Sequence, residues 1–151
     1  MKRLFIPILI LSIMFLSSCG KLNDNPPEYV KEVVAYKGGS EGLIIYFILA
    51  DGSGAMTTSD GKVTLAVYET PFICFGEAPK LYSISLNIEK TDFYKTEVGT
   101  GSFKHKVIVY SFGRIAYSSF RNKPYEAYGK VKLKFHCTDG RVLKGEDAIC
   151  F

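Results

Sequence analysis

The sequence predicts an all-β fold: an immunoglobulin-like sandwich of about seven mainly antiparallel strands, after a cleaved signal peptide. Three observations predict it. Short blocks rich in β-branched and aromatic residues recur along the chain, with 11 Phe, 10 Tyr and no Trp, the composition of half-buried strands. Several blocks alternate apolar and polar residues with the period of two that turns one strand face inward. Turn residues separate the blocks, and none holds an apolar 3.6-residue period over three turns, so sheets rather than helices supply the core. Antibody-type cysteines packed around a tryptophan are absent, so the sandwich expectation rests on strand pattern.

The elements follow in order. YVKEVVAY (Tyr29–Tyr36) is the first strand, ended by Gly38 and Gly39. GLIIYFILA (Gly42–Ala50) is continuously apolar, the mark of a central strand covered on both faces. Asp51–Gly61 is a turn-rich loop. KVTLAVY (Lys62–Tyr68) alternates with Val63, Leu65 and Val67 inward. LYSISLNI (Leu81–Ile88) alternates with Tyr82, Ile84, Leu86 and Ile88 inward and Ser83, Ser85 and Asn87 outward. Ser102–Phe112 is a less cleanly patterned strand. The stretch from Gly113 to Gly129 has no clear period and reads as a strand plus a long loop, or a loop with one helical turn. KVKLKFHC (Lys130–Cys137) alternates almost perfectly. TDGR then makes an Asp-Gly hairpin turn centred on Asp139 and Gly140, which sets 137 opposite 142 and 150 opposite 129. The final strand runs from Val142 to the C-terminus.

Ahead of this domain the chain begins Met1-Lys2-Arg3, followed by a largely apolar run from Leu4 to Leu16. That run is shorter than the ~20 residues needed to span a bilayer but suits the apolar region of a secretory signal peptide. Leu16-Ser17-Ser18-Cys19 resembles the lipobox of bacterial lipoproteins: a branched residue, two small residues, then cysteine. The resemblance covers the leader alone. It implies a diacylglyceryl group on the Cys19 thiol and cleavage just before that cysteine. The division it implies is residues 1–18 as signal peptide, 19–28 as a lipidated tether and 29–151 as one β-sandwich domain. Nine residues from Gly20 to Glu28 reach at most ~30 Å, which keeps the domain near its membrane. Two or more acyl chains, at ~0.8 kcal/mol per buried CH₂, anchor stably where one chain does not. The expected location is the bacterial cell envelope, facing the periplasm or the cell exterior.

Charge argues against nucleic acid as a partner. The chain carries 19 Lys and Arg against 15 Asp and Glu, a net +4. Lys2 and Arg3 contribute two of those charges and leave with the leader. The remaining balance does not argue for nucleic acid, which needs basic charge clustered on one face.

The remaining candidate residues are few. Cys74, Cys137 and Cys150 are an odd set, so one internal disulfide at most forms, Cys74 with Cys137 or with Cys150; the alternative is buried thiols acting as small hydrophobes. His105 and His136 lack metal-ligand spacing, and no metal or other cofactor is expected. His136 shares a strand face with Lys130, Lys132 and Lys134. That lysine row is the candidate partner surface. A solvated sheet face or a defended edge strand is its plain reading, and docking of an anionic partner or lipid headgroups its sharper one. Asp51 and Asp60 stand in a loop with a superficial calcium look, but Ala55 and Lys62 occupy positions that need ligands. Thr70–Gly76 is apolar, with Phe72 and Phe75 either plugging one end of the sandwich or forming a sticky tip.

No nucleophile elbow and no phosphate loop is present, so no catalytic residue is assigned. The expected function is a non-enzymatic, membrane-tethered module that binds an envelope protein or another envelope component. The alternative is a small envelope hydrolase, which needs two of the carboxylates Glu69, Glu77, Asp92, Glu97 and Asp147 brought together in a cleft.

Overall fold

In the computed structural model, residues 23–70, 78–125 and 127–151 are described. Cys19, Cys74, Phe72, Phe75 and Glu77 lie outside them. Nine strands are present among the described residues: β1 (Tyr29–Lys37), β2 (Gly42–Ala50), β3 (Met56–Thr57), β4 (Gly61–Glu69), β5 (Lys80–Ile88), β6 (Tyr94–Val98), β7 (His105–Ala116), β8 (Tyr128–Cys137) and β9 (Val142–Cys150). Two antiparallel sheets form an all-β sandwich. The first has the order β1-β2-β7-β6 with β3 attached to β2, and the second β5-β4-β8-β9. Lettered along the chain, these are the A-B-E-D and C′-C-F-G sheets of an immunoglobulin-type sandwich.

The core lies between the sheets, where the alternating residues point. Leu43, Ile45, Phe47 and Leu49 of β2 meet Val63, Leu65 and Val67 of β4 and Val131, Leu133 and Phe135 of β8, all fully or nearly fully buried. Phe47 sits at the centre. Its ring lies 5.8 Å from Phe93, 5.5 Å from Tyr110 and 6.1 Å from both Phe112 and Phe135. The outer side of β2 is covered too: Ile48 packs with Val107 and Val109 beneath Tyr46, Met56 and Val98. That second cluster is why β2 reads as an unbroken apolar run.

Two local expectations are corrected, and one strand is added. β7 does not stop at Phe112. Opposite it, Tyr46 pairs with Ser111 and Ile44 with Arg114, so one extra residue is accommodated. Gly113 takes φ +68° there, the left-handed geometry of a glycine bulge, and the strand resumes to Ala116. A one-turn 3-10 helix, Tyr117–Ser119, follows. The β8–β9 turn is also one residue longer than the two-residue form. Cys137 N–H donates to Arg141 O at 2.8 Å, and Gly140 stands at φ +89°, a three-residue loop closed by a left-handed glycine. His136 therefore faces Val142 and Tyr128 faces Cys150. Finally, β6 pairs with β7 from Tyr94↔Val109 to Val98↔His105, an edge strand that the polar sequence YKTEV did not announce.

The two ends of the sandwich differ. At one end lie the close of β2, β3, the start of β4 and the β8–β9 turn. At the other lie the β1–β2 turn, the β7–β8 connection and the close of β9. A nine-residue strand separates them by ~30 Å.

Candidate functional site

Residues 23–28, assigned by the sequence to the tether, are fastened to the first of these ends. Asn23 bridges Thr57, whose hydroxyl donates to Asn23 O at 2.8 Å and Asn25 O at 2.5 Å. Glu28 N–H donates to Ala50 O, and Pro27 is buried. The pin is Asp51, whose carboxylate accepts from Asn25 Nδ2 at 2.9 Å, Ser53 N at 2.9 Å, Ser53 Oγ at 2.7 Å and Ala55 N at 3.0 Å, and also from Asn23 Nδ2. The Asn25 and Ser53 hydrogen bonds to the charged form hold its pKa far below the ordinary carboxylate range. Asp51 thus works as a structural acceptor. Asp60, the other acid of the calcium-like loop, accepts from Lys90 N at 2.7 Å. Between Cys19 and Asn23 only ~13 Å of chain remains, so a lipid on Cys19 would hold this end close to the bilayer.

The opposite end carries an open cleft of about 960 Å³, within the size range of small-molecule sites. Its apolar wall is Tyr117, Phe120 and Phe151, stacked edge to face at 5.4–6.3 Å between centroids. Its rim carries Glu41, Arg121, Asn122, Lys123 and Tyr125. The loop is positioned by Arg121 N–H donating to Leu81 O at 2.8 Å and by the buried Glu69 carboxylate, which accepts from Tyr125 N. Tyr117 Oη is buried with no hydrogen-bond partner among the described residues, and burial pushes its pKa up, which keeps it a phenol. A buried hydroxyl left unpaired costs ~1–3 kcal/mol. The lining residues fall in the Gly113–Gly129 stretch, in the β1–β2 turn and at the C-terminus. Their one sequence signal was aromatic density without a period.

The lysine row lies on one face, and the neighbouring strands enlarge it. Lys130, Lys132 and Lys134 point outward while Val131, Leu133 and Phe135 are buried. The strand is not an edge: β8 lies between β4 and β9. The register brings Lys62, Lys80 and Lys144 onto the same outer face. Against these six lysines the strands of this face set one acid, Glu146, 3.2 Å from Lys130. Lys80 and Lys132 flank the Tyr68 ring at 5.8 and 5.2 Å. Lys134 faces Lys144 directly across the strands, a like-charge pair that opposes pairing. Lys144→Glu is therefore expected to stabilise the domain by ~0.2–1 kcal/mol, read as a raised denaturation midpoint; a lowered midpoint would show that the pair carries no strain.

The cysteines and carboxylates do not converge. Cys137, its thiol pushed up in pKa by burial, ends β8, whereas exposed Cys150 ends β9 at the far end; both are free. A pairing of either with Cys74 concerns a residue outside the described ones. Asp147 Oδ2 accepts from Ala35 N at 2.9 Å, tying β9 to β1, and Asp92 accepts from Glu89 N. Glu69 serves the β7–β8 loop, and Glu97 is exposed on β6. Among the described residues, these four acids sit on separate elements. No group of three or more metal-ligating side chains occurs among the described residues, and none of their helices is long and apolar enough to cross a membrane.

No protein-family model matches the chain, and no curated protein matches it in sequence. Among solved structures it is similar to wild-type OgpA from Akkermansia muciniphila, with 11% identity and a TM-score of 0.47 over 89% of this chain and 30% of that one. The chain thus spans less than a third of that protein's length.

Proposed function

We propose that the chain is a membrane-anchored envelope lipoprotein whose non-catalytic β-sandwich presents the cleft at Tyr117 and Arg121 to an envelope component. The observation that carries this reading is the placement of the two ends. The chain enters beside Asp51, and the cleft opens at the other end, one strand length away. A lipid on Cys19 would leave the cleft turned from the bilayer and accessible. The aromatic wall suits a flat apolar group, and the Arg121 and Lys123 rim favours a ligand with negative charge or acceptor oxygens.

Two changes test the two halves. Cys19→Ala is expected to yield an uncleaved, unacylated precursor, seen by mass spectrometry of the intact chain. A wild-type mature chain that starts elsewhere, or has no acyl mass, overturns the anchor. Arg121→Ala is expected to abolish cross-linking of envelope material to a photo-reactive group placed at Asn122, with the fold intact by circular dichroism. Undiminished cross-linking would rule out the cleft.

A further inference from the structure

We infer that the outer face of the β5-β4-β8-β9 sheet is a docking surface for an acidic polysaccharide, a linear sugar polymer bearing carboxylate, sulfate or phosphate groups. The charge is the first reason. Lys62, Lys80, Lys130, Lys132, Lys134 and Lys144 share a face to which the four strands turn a single acid, Glu146. A sheet face that needed only to be wet would intersperse both signs. Instead Lys134 and Lys144 stand directly opposite each other, an arrangement that opposes folding and that a bound anion between them would reverse.

The layout selects the partner. The lysines lie on a grid along and across the strands rather than in a pocket, which suits a repeating anion over one phosphate. They are point charges, without the forked geometry that arginine brings to a single bidentate anion. Between them stand hydroxyl and amide groups, Thr64 and Ser85, 3.0 Å apart, with Ser83 and Asn87 exposed beside them. These can donate to sugar oxygens. The grid runs from Lys62, near the end where the chain enters, to Lys80 and Lys130, near the cleft. This choice of occupant rests on the anchored orientation proposed above, which makes the face a side wall standing away from the bilayer and open to a polymer passing alongside.

The test uses the full lipidated protein in phosphatidylcholine nanodiscs and fluorescent heparin as the probe. Heparin is expected to bind, and Lys62→Gln/Lys134→Gln/Lys144→Gln to weaken it at least roughly tenfold. The double-log salt slope should flatten by roughly one per lysine removed. A charge-matched control, Lys37→Gln/Lys104→Gln/Lys106→Gln, is expected to retain affinity. Unlabelled heparin should displace the probe better than equal charge concentrations of polyglutamate or protein-free phosphatidylglycerol vesicles. Absent binding, or equal loss in both triple variants, overturns the surface. Stronger displacement by vesicles assigns it to lipid headgroups, and by polyglutamate to an acidic protein; either overturns the polysaccharide. Failure of the protein to enter the nanodisc is a separate result, against the anchor alone.

Discussion

Phe47→Ala is expected to destabilise the domain by ~3–5 kcal/mol, a large share of the 5–15 kcal/mol that separates folded from unfolded chains. Phe47 has no exposed surface. Its ring touches both sheets: Tyr110 and Phe112 on β7, Phe135 on β8, and Phe93 in the connection that crosses from one sheet to the other. Deleting it removes the transfer free energy of the ring and leaves a cavity that four aromatic neighbours on three elements cannot jointly close. Equilibrium urea denaturation reads the effect as a lowered midpoint with little change in slope. Tyr94→Ala, at a side chain half exposed on the edge strand β6, is the comparison and should stay within ~0.5 kcal/mol. Similar costs at the two positions would mean that the sheets do not share one core.

Asp51→Ala is expected to detach the segment from Asn23 to Glu28 and lower the thermal midpoint more than any single lysine change on the outer face. The substitution strands five donors that now converge on one carboxylate. Asp51→Asn should lie between, since one amide oxygen still accepts but its NH₂ cannot. The pH dependence has a defined sign. The folded-state pKa is depressed, first by the Asn25 hydrogen bond and then by Ser53. The contribution is therefore complete above the unfolded value of ~3.9 and lost as pH falls below it. Wild-type stability should thus decline from about pH 4 downward more steeply than that of Asp51→Asn. Parallel acid profiles for the two proteins would remove Asp51 from the role of pin.

The strands that alternate, β4, β5 and β8, were legible because one face is buried and the other wet. β2 was legible because a second apolar cluster covers its outer side. β6 was not: as a short edge strand it buries little, and Tyr94, Lys95 and Glu97 are exposed. The β7 bulge depends on one glycine in the middle of a strand, and the β8–β9 register on which glycine conformation closes the turn; neither leaves a periodic trace. The fastening of residues 23–28 rests on side-chain hydrogen bonds spanning 26–28 residues of sequence, which pattern reading does not see. For the same reason three lysines of the outer face could be read from β8 alone, whereas Lys62, Lys80 and Lys144 joined them only through sheet order. The cleft gathers residues from the β1–β2 turn, the β7–β8 connection and the C-terminus, so no single stretch could announce it.

We propose that the chain is held to a membrane at its Asp51 end with the cleft turned outward. Energy transfer from single fluorophores to acceptor lipids tests it, with the lipidated protein reconstituted in vesicles and labels placed at Thr138, in the β8–β9 turn, or at Asn122, on the cleft rim. Strong transfer is expected from position 138 and weak transfer from 122, equivalent to a difference in height of ~25–30 Å, about one strand length. Equal transfer from both positions, or the reverse order, would contradict it.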